Sequence, residues 1–306
     1  MATFKALCTA YMAALNPEPG AVSRLGFWIA DPVGAMECAD ITPEHIDEAL
    51  RRLCERGRLK TGRNMRAERV GELSGATINR YQGQAGQVFK WAKGKTVRAL
   101  PRAYQIPTRG IEREEELQDP ERYLRTEEVA RILKVARVLD TRWGKMPALI
   151  VVAFHTGLRV SSILNVKGKD LDLKAGTMKA RTATRGLMTK NNDAITAALS
   201  EEAIAELRKL PKVQPEELVF GNRSGQAFTY RPLWDRCAKA AGLEGRNFHQ
   251  LRHGHGTVLA QQGVSTPMIM ASMGQRTLKA AARYLHHNTK DKADVIARVS
   301  PAFSVA

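Results

Sequence analysis

No stretch of this 306-residue chain reaches the ~18 or more consecutive apolar residues that a bilayer-spanning helix needs, so no membrane span is expected. The N-terminus, MATFKALCTAYMAALNPEPG, has no charged leader, long apolar run and small-residue cleavage site in succession. It reads as an amphipathic helix and not as a signal peptide. Cysteine is scarce: Cys8, Cys38, Cys54 and Cys237 are scattered with no C-x-x-C spacing. Reduced thiols in a cytoplasmic protein are expected, with no disulfide framework. There is no G-x-x-x-x-G-K-[ST] loop and no acidic cluster of the two-metal kind, so neither ATP, a metal nor another cofactor is called for.

Acidic residues are the other shortage. Against 48 Lys and Arg there are 31 Asp and Glu, giving a net charge of +17. A field of that sign favours polyanions, nucleic acid first and an anionic membrane surface second. No basic tail accounts for the excess: residues 1–110 carry 17 basic and 10 acidic side chains, and residues 111–306 carry 31 and 21. Both halves are basic, as expected if both touch one polyanion.

The length suits about two domains at the usual ~150 residues each. The first third reads as helical. TPEHIDEALRRLCERG begins with Thr42 as N-cap, ends at Gly57, and places Ile46, Ala49, Leu50 and Leu53 at helical spacing. A basic connector follows, with Arg56, Arg58, Lys60, Arg63, Arg66 and Arg69, and is expected to be either a solvated loop or a phosphate-contacting one. SGATINRYQGQAGQVFKWAKG is helical by Ile78, Tyr81, Ala85, Val88 and Trp91. Pro101, Pro107 and Pro120 then bracket a dense mixed-charge run, which places a linker at 109–119 between domains spanning 1–108 and 120–306.

The second domain opens with LRTEEVARILKVARVL, with Thr126 as N-cap, and continues with the apolar helix MPALIVVAFHTG stopped at Gly157. Residues 171–199 break the helical period, and turn-like AGT and KNND with threonine-rich alternation predict a small antiparallel sheet. The remainder is again helical. The fold class is therefore mainly α (α+β): a helical domain followed by a mostly helical domain with a small sheet.

Three features carry candidate chemistry. In TGLRVSSILNV, Arg159 follows the Gly157 turn and starts a helix, where its five-donor fork can meet an anion; taken alone, an ordinary surface arginine is the favoured reading. In FHQLRHGHGT, His249 and Arg252 are three apart and share a helical face, able to handle a proton and a charge on one anion. Rival readings there are zinc ligation by His249, His253 and His255, and His253 as a packed core residue. Tyr284, in SMGQRTLKAAARYLHH, is by spacing an amphipathic core residue.

Taken together and in this order, these residues resemble the tyrosine recombinases, also called the phage integrase family. The resemblance covers roughly 120–290, with a looser fit of the N-terminal half to the family's helical core-binding, DNA-clamping domain. That pattern already starts near Thr3, so no additional arm-binding domain is expected. The resemblance implies that Arg159 is the first catalytic arginine, that His249 and Arg252 are the H-x-x-R pair, and that Tyr284 is the nucleophile. Lys190, in LMTKNND, is the best match to the hairpin lysine, ahead of Lys179 and Arg185.

Two positions depart from the family pattern: Ser162 replaces an acidic residue, and Gln275, in MGQ, replaces a histidine or tryptophan. A glutamine amide still donates a hydrogen bond without titrating. By the same resemblance the activity is metal-free, ATP-free site-specific recombination through a 3′-phosphotyrosyl intermediate, with His249 taking the tyrosine proton and Lys190 serving the leaving group. Such an enzyme would integrate or excise a mobile element. The partners implied are double-stranded attachment-site DNA, further copies forming a tetramer on it, and an accessory DNA-bending or directionality protein, with no membrane. The DNA-contacting basic residues would be Arg56, Arg58, Lys60, Arg63 and Arg66, and the protein would be nucleoid-associated when bound. The segment TKDKADVIARVSPAFSVA would dock on a neighbouring protomer or on its own domain. Alternatives are a catalytically impaired DNA-binding relative, or a type IB topoisomerase-like relaxing enzyme.

Overall fold

The computed structural model describes residues 2–62, 65–116, 123–142, 144–181, 194–275, 277, 278, 281 and 284, with backbone alone at 60–62 and 65–67. These residues fall into two compact units, one ending within 116 and the other starting from 123.

In the first unit, helices α1 (Phe4–Leu15), α2 (Pro19–Ala30), α3 (Pro43–Arg56) and α4 (Gly75–Ala92) enclose one apolar core. Its centre is aromatic. Phe4 stacks on Phe89 with ring centroids 4.5 Å apart, and Trp28 meets Phe4 edge-on while its Nε1–H donates to the Tyr81 carbonyl at 3.1 Å. The offset and edge geometries are those that aromatic quadrupoles favour. Buried Asp31 receives two charge-assisted bonds from Arg52, at 2.9 and 2.8 Å, tying the end of α2 to α3. As expected, α3 stops at Gly57, whose φ of 67° is left-handed.

The basic connector is not a loop. Strands β1 (Arg58–Gly62) and β2 (Met65–Gly71) pair antiparallel, with Leu59 opposite Arg69 and Gly62 opposite Met65. Its sequence shows no apolar alternation, and the ladder pairs the backbone groups that face between the two strands. Arg63 lies outside the described residues. Of the expected linker, residues up to 116 run beside α4. Asn79 donates to the Glu114 carbonyl at 2.9 Å and accepts from its N–H at 3.0 Å, and Gln82 donates to the Ile111 carbonyl at 3.2 Å. Asn79 and Gln82 are buried, so these bonds satisfy amides that would otherwise be costly to bury.

The second unit is built around α6 (Met146–Thr156), which is buried on all sides from Met146 to Ala153. Packed on it are α5 (Thr126–Leu139), α8 (Glu201–Arg208) and α10 (Gln250–Gln261). Thr126 is the first helical residue of α5 and not its cap; the Arg125 N–H is satisfied instead by Glu128 at 2.9 Å. The short helix α7 (Val160–Leu164) follows the Gly157 turn. The expected small sheet is present as β3 (Leu171–Asp172), β4 (Thr177–Arg181) and β5 (Ala194–Ala198), antiparallel in sequence order. Helices α9 (Arg231–Ala240) and α11 (Thr266–Met273) complete the unit. Trp234 of α9 is fully buried against Phe248 and donates Nε1–H to the Arg246 carbonyl at 2.8 Å, which sets the approach into α10.

The start of α6 depends on one carboxylate. Asp140 Oδ2 accepts from the N–H groups of Lys145 and Met146, both at 2.7 Å, capping donors that no helical carbonyl serves. Asp140→Ala is expected to destabilise the protein by about 1–2 kcal/mol, read as a lowered Tm, whereas Asp140→Asn should lose a smaller part of it.

Candidate active site

Two turns, one helix and Tyr284 assemble the site. Gly157 ends α6 with φ 59°, a left-handed conformation that suits glycine. A Cβ there would also run into the His255 ring, 3.0 Å from its Cγ. The chain then leads directly to Arg159, which is exposed and caps α7, while Ser162 behind it is buried and donates its N–H to the Arg159 carbonyl at 2.9 Å.

The second component is α10. His249 stands at its N-cap, and Arg252, one turn on, is only 4% exposed. The Arg252 Nη1 donates to the Gly157 carbonyl at 2.5 Å and to the Met273 carbonyl at 2.8 Å. One guanidinium nitrogen thus joins the Arg159 turn to the end of α11. There Gly274 turns the chain with φ 62°, at a place where a Cβ would strike the Ile195 side chain of β5. Gln275 follows.

The third component is Tyr284. Its side chain is 4% exposed and packs with Ile269 and Met273 of α11. Gly256 of α10 lies flat against the ring: a Cβ there would stand 2.9 Å from Cγ, Cδ2 and Cε2. The hydroxyl receives a hydrogen bond from Gln275 Nε2 at 3.2 Å and lies 3.3 Å from His253 Nδ1.

Arg159, His249, Arg252, Gln275 and Tyr284 are thus linked through the Gly157 turn, α10 and the Gly274 turn. Lys190 lies outside the described residues, as does the segment 289–306. His253 is half-buried with Nδ1 toward Tyr284. His249, expected at the tyrosine proton, meets His253 edge-on with ring centroids 4.8 Å apart. Positions 249 and 253 share a helical face, and the later one is a turn closer to Gly256, on which the tyrosine ring lies. His255 is the packed histidine, its basicity pushed down to about 4, chiefly by burial and then by the charges of His155 and Arg252, against a hydrogen bond to the Phe154 backbone. Among the described residues no three His, Cys, Asp or Glu side chains gather as a metal site.

Sequence reasoning missed His253 and the glycine seat at 256. The available signal was the spacing of His249, Arg252, His253 and Gly256, which lie on one face of a helix.

In the first unit, Arg56 and Arg58 are exposed. The Arg56 guanidinium carbon stands 5.0 Å from the Phe27 ring centroid, and its Nη2 lies 3.5 Å from the Tyr81 hydroxyl. Lys60 and Arg66 sit on β1 and β2, with backbone alone described.

Residues 122–291 match the family model described as the phage integrase family. The chain belongs to that family. It is thereby a tyrosine recombinase, an enzyme class that cleaves and rejoins DNA. Relatives of this recombinase include the integrase of Salmonella phage P22, 24% identical over 301 residues that cover 86% of this chain and 70% of the phage protein. The type 1 fimbriae regulatory protein FimE of Escherichia coli is 27% identical over 172 residues, covering 55% of this chain and 86% of FimE. Among solved structures, the Tn1549 transposon integrase in complex with a circular intermediate DNA matches the fold with a TM-score of 0.74 at 16% identity, covering 98% of this chain and 100% of that one. A lambda integrase dimer bound to a core site matches at 0.64 and 17% identity, covering 95% of this chain and 78% of that one. Among the described residues no helix is long and apolar enough to cross a membrane.

The packed histidine makes stability depend on pH. His255 is held neutral in the fold down to about 4, while in the unfolded chain it protonates near ~6.5. Below that value the unfolded chain binds a proton that the fold does not, so stability is full above ~6.5 and declines as pH falls toward 4. His155, also pushed down chiefly by burial, acts in the same direction. Between pH 7 and pH 4.5 a loss on the order of 2 kcal/mol is expected from His255, and His255→Phe should flatten this part of the Tm-against-pH curve.

Proposed function

We propose that this recombinase cleaves and rejoins duplex DNA at specific attachment sites, serving integration or excision of a mobile element. In this reading Tyr284 attacks the scissile phosphate to give a 3′-phosphotyrosyl link, which keeps the bond energy for rejoining. The observation that carries it is the placement of Tyr284: buried, seated on Gly256, hydrogen-bonded at its hydroxyl, and next to the turn that Arg252 ties to Arg159.

Each residue has a defined role. Arg159 and Arg252 neutralise the non-bridging oxygens as charge builds in the five-coordinate transition state, and His249 and Gln275 add donors around it. Lys190 protonates the 5′-hydroxyl leaving group. Gln275 acts through the tyrosine hydroxyl as well as on the phosphate. Buried Ser162 supplies no charge where an acid is usual, which points to slower or more tightly controlled chemistry. None of these roles requires a metal or ATP.

The unit ending within 116 serves as the core-binding, DNA-clamping domain, and the unit from 123 as the catalytic one. Arg56, Arg58, Lys60, Arg63 and Arg66 are assigned to the phosphate backbone, where each neutralised phosphate makes binding more salt-dependent. The aromatic support under Arg56 suits it to hold a fixed position for a phosphate. Strand exchange would proceed in a tetramer on DNA, with an accessory bending or directionality protein as a further partner. The DNA complexes of the Tn1549 and lambda proteins support a DNA substrate.

A nicked suicide duplex bearing the attachment site tests this reading. A covalent protein–DNA adduct is expected. It should disappear in Tyr284→Phe and fall by about 10²-fold or more in Arg159→Ala. DNA binding without an adduct would sink the enzymatic reading, and supercoil relaxation without recombinant product would favour a topoisomerase. Gln275→His is expected to leave adduct formation intact or raise it in the same assay, and a complete loss would contradict the donor role given to the glutamine.

A further inference from the structure

A phenol hydroxyl has one proton to donate. Among the described residues the Tyr284 hydroxyl has two polar neighbours, and one of them, Gln275 Nε2 at 3.2 Å, is a donor that binds the oxygen's lone pair. The other is His253 Nδ1 at 3.3 Å, which in the Nε2–H tautomer accepts the Tyr284 proton. The two rings stand tilted with centroids 5.8 Å apart. The backbone holds the pairing in place: the His253 N–H bonds to the His249 carbonyl at 3.3 Å, the Tyr284 N–H bonds to the Ala281 carbonyl at 2.9 Å, and Gly256 leaves the tyrosine ring no slack below. His249 reaches this pair through the edge of the His253 ring.

We propose that His253, not His249, is the catalytic residue that orients the Tyr284 hydroxyl and takes its proton during strand cleavage. This rests on Tyr284 being the nucleophile. As a lone pair of Tyr284 Oη forms the bond to phosphorus, its proton passes to His253 Nδ1. The P–O5′ bond breaks, its electron pair leaves on O5′, and the leaving oxygen is protonated by the general acid assigned to Lys190. A phenol with an ordinary pKa near ~10 is a poor nucleophile at neutral pH, so an aligned acceptor contributes directly to the rate.

The test is single-turnover adduct formation by the full chain on the suicide duplex, with either an ordinary phosphodiester or a 5′-bridging sulfur at the scissile bond. A thiolate leaves without an acid, so sulfur relieves the leaving-group step and not the nucleophile. His253→Phe, which keeps a flat ring and removes the acceptor, is expected to slow cleavage of both duplexes by about 10²-fold. His253→Asn places Oδ1 where Nδ1 stood and so restores the alignment of the hydroxyl without a base; most of the defect is expected to remain. DNA retention and Tm should change in neither. If His253→Phe does not fold, His253→Ala carries the same expectation.

Cleavage at the parental rate in His253→Phe overturns the proposal, and so does a defect cured by the sulfur leaving group. A defect that His253→Asn relieves in full also overturns it, because an amide oxygen aligns the hydroxyl but is no base. An adduct that persists in Tyr284→Phe removes the nucleophile and this proposal together. An adduct lost in Tyr284→Phe but unchanged in His253→Phe removes this proposal only.

Discussion

The pair of hydrogen bonds from Arg252 to the carbonyls of Gly157 and Met273 is the constraint on which the site depends. A guanidinium only 4% exposed carries a large desolvation cost, which is offset only when its N–H groups meet good acceptors. Here the acceptors are main-chain carbonyls from chain ends that α6 and α11 leave unsatisfied, so one side chain answers two deficits at once. The arrangement also fixes distances. Arg159 is two residues beyond one of those carbonyls and Gln275 two beyond the other, so α10, the Arg159 turn and the Gln275 turn are held as one piece.

That piece leaves little free space, and the glycines show where. Along α10, Gly254 faces the Leu124 carbonyl and the Phe154 ring, while Gly256 faces Tyr284. His255, between them, fills the space over Gly157. Glycine in a helix interior costs about 0.5–1 kcal/mol relative to alanine. The close approach of α6 and of the tyrosine ring is what that cost secures. A helix with this many glycines is poor by propensity and owes its stability to packing.

The features readable in the sequence were those with a periodic or chemical signature. The helix 43–56 shows its apolar stripe and its Gly57 stop, and α6 shows an unbroken apolar run. The order of Arg159, His249, Arg252 and Tyr284 needed no geometry to suggest a family. Features without such a signature stayed hidden. The β1–β2 ribbon has no apolar alternation to mark it. The attachment of residues 109–116 to α4 comes from two amides, Asn79 and Gln82, whose sequence context resembles any polar helix face. His253 was hidden for another reason: in HQLRHGHG the histidines look interchangeable, and only the positions of Tyr284 and Gly157 distinguish the one facing a hydroxyl from the one packed over a turn.

The replacement of a usual histidine or tryptophan by Gln275 has a specific physical consequence. An amide donates at one end and accepts at the other, and it keeps both properties at every pH of interest. In this fold the donor end holds the Tyr284 hydroxyl, while Oε1 is buried with no hydrogen-bond partner among the described residues. The histidine on the other side of the hydroxyl adds the titrating group that the glutamine lacks. Proton handling and charge-neutral positioning are thereby divided between two side chains, one on α10 and one after α11, and Arg252 keeps those two elements in register.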